Sequence, residues 1–220
     1  MRLVAVLLVG GALTLSAQQG PVPVEDEPNH KTVVQNDYIR AYRVTLEPGQ
    51  STQVHRHSHD DVGVQLADSL ITQDEPGKAK GQPTEMKTGQ VGARTITGHS
   101  LIHRVNNVGK TTFDVMDVEV LKRPEGEETK PIADVAAENP SERVYRWELR
   151  PGETSAEHTH ERPYLIVAAT DMELKMSSPD GQTMTHGIKK GDSHWVDTKV
   201  THRLSNAGNQ PGVLVEVELK

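Results

Sequence analysis

The chain has 220 residues, and its 24 lysines and arginines stand against 31 aspartates and glutamates, a formal net charge of −7. With no basic run or aromatic-interleaved patch, nucleic acid is disfavoured as a partner. There is no cysteine, which excludes disulfides, thiolate ligands and cysteine nucleophiles, and leaves any metal to nitrogen and oxygen donors.

The first residues, Met1-Arg2, precede an apolar run from Leu3 to Leu15 and the small residues Ser16-Ala17. One basic residue, a short apolar core and small residues at its end predict a secretory signal peptide over 1–17. The run is too short to span a bilayer comfortably. The mature protein is therefore expected to start near Gln18, to be secreted or periplasmic, and to have no membrane partner after cleavage. About 200 residues are enough to fold without disulfide staples.

Residues 18–30 carry three prolines and several acids and read as an extended arm. From Thr32 the pattern alternates: Tyr38, Arg40, Tyr42, Val44 and Leu46 share one face of a strand, and Glu47-Pro48-Gly49 makes a turn. A strand with His55 and His57 follows and continues through Val62, Val64 and Leu66. Residues 73–92 hold four glycines and two prolines, which suits a hairpin with a long loop. A strand through His103 and a closing strand over 112–121 complete an N-terminal domain, 18–121.

Residues 122–142 are rich in Glu, Pro and Lys and read as an exposed linker, with one helical turn expected over Ala133–Glu138. The C-terminal domain, 143–220, then repeats the first. Tyr145 to Gly152 echoes Tyr42 to Gly49, and His158/His160 echo His55/His57. His202 to Gly208 echoes His103 to Gly109, and a closing strand again alternates, Val213, Val215, Val217 and Leu219 against Leu214, Glu216 and Glu218. A repeat of about 100 residues is a whole β-domain rather than a solenoid unit. The two are expected to pack together across the linker.

In an extended strand, residues two apart face the same way, so each His-x-His pair can present both rings to one point. A third histidine from a non-adjacent strand can join them only inside a closed or strongly curved sheet. Three such imidazoles leave room for substrate at a catalytic metal.

This paired signature resembles the cupin family. Its first motif, a glycine, five residues and His-x-His, is matched by Gly152 to His160 and by Gly49 to His57. Its second ends in a histidine, three residues and an asparagine, matched by Gly191 to His202 and Asn206, and by His103 and Asn107. Gly92 stands at the family's distance from His103, although Lys87-Thr88-Gly89-Gln90 looks more like Lys189-Lys190-Gly191-Asp192. The resemblance implies an all-β bicupin: two tandem cupin barrels, also called double-stranded β-helices or jelly rolls. It implies a divalent transition metal (iron, manganese, nickel, zinc or copper) at His55, His57 and His103, and another at His158, His160 and His202.

Both repeats lack the family's ligand glutamate. Asp61 stands at that position after His57 and is expected as a shorter ligand or a catalytic base; Tyr164 stands there after His160 and is expected to pack beside a three-histidine site or to act as proton donor. His59 is an alternative to Asp61, whereas His99, His186 and His194 are expected to be ordinary exposed histidines and Trp195 to fill core or barrel mouth. Asn107 and Asn206 are expected to hold turns. Two functions follow: a metal-dependent oxidoreductase (dioxygenase-like) or isomerase on a small organic substrate, or a non-catalytic protein that binds a metal or small ligand. A homo-oligomer is left open.

Overall fold

The structure, a computed structural model, describes residues 20–220, so the leader expected over 1–17 lies outside the described residues. The first half contains β1 (Val22–Pro23), β2 (His30–Gln35), β3 (Ile39–Leu46), β4 (His55–His57), β5 (Asp61–Gln65), β6 (Ser69–Asp74), β7 (Thr84–Met86), β8 (Val91–Arg94), β9 (Leu101–Asn107) and β10 (Phe113–Val120). The second contains β11 (Val135–Glu138), β12 (Glu142–Leu149), β13 (His158–His160), β14 (Tyr164–Ala168), β15 (Met172–Ser177), β16 (Thr183–Ile188), β17 (Ser193–Val196), β18 (Val200–Asn206) and β19 (Gly212–Leu219).

Two sheets form each barrel. In the first half they run β1-β4-β9-β6-β7 and β2-β3-β10-β5-β8; in the second, β13-β18-β15-β16 and β11-β12-β19-β14-β17. The strand orders correspond one for one, so the repeat seen in the sequence is a repeat of topology, and the all-β, two-barrel expectation holds. Among the strands of the described residues, only β1 has no counterpart. It adds to the first barrel in parallel with β4, pairing Val22 with His55.

The turns repeat for a physical reason. Gly49 and Gly152 each follow a proline and have φ of 82° and 79°, a conformation that glycine adopts without Cβ strain. The turn asparagines behave as expected: Asn107 Nδ2 donates to the carbonyls of Leu46 and Thr111, and Asn206 Nδ2 to those of Leu149 and Gln210.

Three cores result. Tyr42, Val44, Leu46, Phe113 and Val115 fill the first barrel, and Leu149, Tyr164, Ile166, Leu204 and Leu214 the second. The third core lies between the barrels, where Ala41, Val62, Val64, Met116 and Val118 meet Val144, Leu165, Val167, Val215 and Val217. β10 is therefore buried along its whole length, one face inside its barrel and the other against its neighbour. Each fully buried Val, Leu or Met contributes about 1.5–3 kcal/mol relative to exposure, so this wall ties the halves together strongly. Trp195 packs against the same core and stacks on Tyr38 of the other half, with ring centroids 6.1 Å apart. Arg146 Nε donates to Gly89 O across the boundary (2.7 Å), and Arg43 lies against Gly191.

The connection between the halves departs from expectation in one respect. The helical turn predicted over Ala133–Glu138 is instead β11, paired with β12 through Val135 and Tyr145 with a register shift before Ala137. Pairing to a neighbouring strand overrides the local helix preference of Ala136-Ala137-Glu138. Beyond it, Asn139 Nδ2 donates to Arg94 O (3.1 Å) and Ser141 Oγ to Asp60 Oδ2 (2.7 Å), which joins the connection to the first barrel.

Candidate functional site

In the second barrel, β13 turns His158 and His160 inward, and antiparallel pairing sets His202 on β18 directly opposite His158. β19 brings Glu216 into the same space, on the face that also carries Leu214 and Glu218. One nitrogen from each histidine and one Glu216 oxygen all lie within 4.8 Å of one another, and all four residues are buried. Glu216 Oε2 is 3.2 Å from His160 Nε2 and 3.5 Å from His158 Nε2, while Oε1 is 3.3 Å from His202 Nε2.

Neighbours fix the rings. His158 Nδ1 donates to Ala156 O (3.0 Å) and His160 Nδ1 to Glu218 Oε2 (2.6 Å), so both turn Nε2 toward Glu216. Trp147 stacks on His158 with centroids 4.8 Å apart and donates from Nε1 to Glu216 Oε2 at 2.7 Å. Burial alone would raise the Glu216 carboxyl, but the three imidazoles outweigh it and hold it well below the usual range. Burial lowers His160, and Glu216 and Glu218 reverse that, raising it to about 9. The centre is built to hold positive charge.

Tyr164 stands outside this group. Its ring stacks on His160 at 3.8 Å, and its buried hydroxyl has no hydrogen-bond partner. Burial, then the charges of Glu216 and Glu218, push the phenol above its ordinary range, so it stays protonated. It borders a cavity of about 440 Å³ whose walls include Ile166, Leu174, Met176 and Val200. His186 and His194, exposed as expected, also line this cavity.

The first barrel repeats the scaffold with different chemistry. His55 and His57 lie on β4, and His103 faces His55 across the strand pair. Their rings are close, with His55 and His103 centroids 4.5 Å apart. Two tight groups form instead, His30, His55 and His57, and His57, Asp61 and Asp117, the ligand atoms of each lying within 4.8 Å of one another. His103 stays outside both, its Nδ1 3.2 Å from Gln73 Oε1 and its Nε2 unpartnered. His30, His55, His57 and His103 border a cavity of about 180 Å³. Burial lowers His55 and His57 to about 4, so both rings are neutral at neutral pH.

Asp61 lies near His57 and Asp117, but both its oxygens accept from Arg94, at 2.5 and 2.7 Å. Arg94 Nη2 is also 3.4 Å from both oxygens of Asp117. Burial, then the charge of Asp117, push Asp61 up to about 8 against the pull of Arg94. His59, the alternative to Asp61, is not among the grouped residues.

Two site residues escaped the sequence reading. Glu216 lies on a strand whose alternation with valines looks like an ordinary half-buried edge. The clue was that both closing strands carry an acid pair at matching places, Asp117/Glu119 and Glu216/Glu218, each with a tyrosine hydroxyl at 3.4 Å (Tyr42 on Glu119, Tyr145 on Glu218). His30 precedes the repeat, so no echo could reveal it.

A family model described as a cupin domain matches residues 145–218. Solved structures extend the likeness over both halves. AerE from Microcystis aeruginosa aligns over 88% of this chain and 98% of its own, with 10% identity and a TM-score of 0.57. The chain has the two-barrel cupin fold. A variant of salicylate 1,2-dioxygenase from Pseudoaminobacter salicylatoxidans, solved with gentisate, aligns over 90% of this chain and 76% of its own, at 12% identity and a TM-score of 0.56. A variant of Bacillus subtilis oxalate decarboxylase covers 83% and 69%, at 13% identity and a TM-score of 0.53. Among curated proteins, the β-alanine degradation protein BauB of Pseudomonas aeruginosa is 28% identical over 89 residues, 40% of this chain and 93% of that protein. In family terms the second barrel keeps its three histidines, places Tyr164 where the motif has glutamate, and brings a carboxylate from β19 instead.

Proposed function

We propose that this cupin is a metal-dependent oxidoreductase of the dioxygenase kind, acting on a small organic substrate in its C-terminal barrel, with His158, His160, His202 and Glu216 holding a divalent transition metal. The observation that carries this reading is the convergence of three buried imidazoles and one carboxylate within 4.8 Å, with the Nε2 atoms of all three histidines turned toward Glu216. Nitrogen and oxygen donors with a single negative charge suit iron, manganese or nickel. When bound, such an ion supplies Lewis-acid and redox chemistry.

The chain's own residues do the rest. Glu218 and the Ala156 carbonyl orient His160 and His158, and Trp147 anchors Glu216. The Tyr164 hydroxyl is free to donate to a substrate oxygen, and the walls beside it are largely apolar. Those walls favour a compact, largely apolar or aromatic substrate, in keeping with the fold's likeness to a dioxygenase that holds gentisate. The predicted leader adds that this chemistry takes place after export, with mass spectrometry of the mature protein expected to find its start near Gln18.

The test is metal analysis of the purified chain, then oxygen uptake with a panel of catechols, diketones and thiols. Bound metal with oxygen consumption is the expected result, and Glu216→Ala should lose the C-terminal ion together with the oxygen consumption. Metal-free protein without oxygen uptake would leave the non-catalytic binding reading in its place.

A further inference from the structure

The N-terminal barrel holds donors that the family pattern does not foresee. Its arm runs beside β4, with Val24 buried in the barrel core. There the buried Glu27 carboxylate accepts from Gln53 N (3.0 Å), Asn29 N (2.8 Å), Asn29 Nδ2 (3.0 Å) and His30 Nδ1 (2.7 Å). With the His30 proton on Nδ1, its Nε2 is left with a lone pair, and the ring borders the cavity with His55 and His57. A carboxylate that fixes a ring in this way is a common support for a metal-binding histidine.

The His55 ring is set likewise. His55 Nδ1 donates to Gln53 O (2.9 Å), and His57 Nδ1 lies 3.3 Å from Glu119 Oε1 and 3.4 Å from Asp61 Oδ2. The two Nε2 atoms stand 3.1 Å apart, close enough for an N–H···N hydrogen bond when one of them carries the proton. Two nitrogens bound to one ion at about 2.0–2.1 Å are themselves about 3.0–3.4 Å apart.

Comparison of the barrels explains why the third donor is His30. Beside His158 the space belongs to Trp147, with centroids 4.8 Å apart. The equivalent residue in the first barrel is the smaller Val44, and His30, paired opposite it, lies beside His55 at 4.7 Å. Asp117, in the place of Glu216, is engaged by Arg94.

We infer that the N-terminal barrel binds a second divalent ion, of the zinc or copper class, through Nε2 of His30, His55 and His57, and that the N-terminal arm thereby supplies a ligand. An all-imidazole set without an anionic donor suits those ions better than manganese or calcium.

The experiment uses the full chain, stripped with a chelator and dialysed against zinc, with bound zinc counted by mass spectrometry. Wild type should hold two ions, Glu216→Ala should lose the C-terminal one, and His30→Ala the N-terminal one. To separate ligation from docking of the arm, His30→Gln keeps a donor for Glu27 and must lose the same ion. In the Glu216→Ala protein, zinc should also slow tryptic cleavage after Lys31 at least tenfold. Retention of the N-terminal ion in both His30 variants, or its loss in His103→Ala but not in His30→Gln, would overturn the assignment, as would a Glu216→Ala protein that binds no zinc. The C-terminal reading stands or falls separately, on the Glu216 variant's activity.

Discussion

Glu142 is fully buried at the boundary between the barrels; Asn139 Nδ2 donates to its Oε1 at 2.8 Å, and Oε2 has no partner. Burial, then the nearby charges of Asp61, Asp117 and Asp60, raise this carboxyl well above its ordinary value against the help of Asn139. An acid whose pKa is raised by folding takes up a proton as the chain folds. Its penalty is absent below the unfolded value near 4.5 and grows as pH rises through it, by about 1.4 kcal/mol per unit until the folded value is reached. Glu142→Gln should therefore raise the melting temperature at pH 8, change it little at pH 4, and flatten the slope between; thermal melts at three pH values check this. Tyr164→Phe belongs to the same scale. Metal content should stay the same while turnover falls roughly a hundredfold, the contribution of a lost proton donor; equal loss of metal would make the phenol a ligand. The histidines were legible because His-x-His on a strand has a fixed geometric meaning. Glu216 and His30 were not, because their roles depend on strand neighbours and on an arm lying outside any local pattern.

At the scale of single elements, the sequence predicted most strands correctly because alternation and Pro-Gly turns are local signals. β11 was missed because its strand character comes from β12. The equivalent of Gly191 was ambiguous for a similar reason: motif spacing favours Gly92, while the surrounding residues favour Gly89. The structure decides for Gly89, whose φ is 76° against 86° for Gly191, and whose N–H donates to Gln65 O as that of Gly191 does to Ala168 O. A Cβ on Gly89 would also lie 2.8 Å from Val213 Cγ1, whereas one on Gly92 would meet nothing within 4 Å. Gly89→Ala should cost about 1–2 kcal/mol or more, and Gly92→Ala almost nothing, as denaturant melts of the two variants will show.

For the whole molecule, the wall between the barrels is the largest of the three buried clusters. Met116 is fully buried there, so Met116→Ala should cost about 2–5 kcal/mol. Calorimetry should show one transition for both barrels, since neither half can lose the wall without exposing the other. Proteases should nick within 123–134 without releasing a stable monomeric half. Two barrels were foreseeable from the repeat, but the extent of their contact was not, because a strand buried on both faces looks in sequence like one buried on a single face. The contacts across the wall also come in matched pairs. Arg146 reaches Gly89 while its repeat equivalent, Arg43, lies against Gly191, the equivalent of Gly89. Such exchange, in which residue i meets j and j meets i, is the mark of a two-fold axis between like subunits. The molecule is in effect a homodimer whose subunits share one covalent chain, and a single barrel of this design, made alone, would have to find a copy of itself to cover the same face.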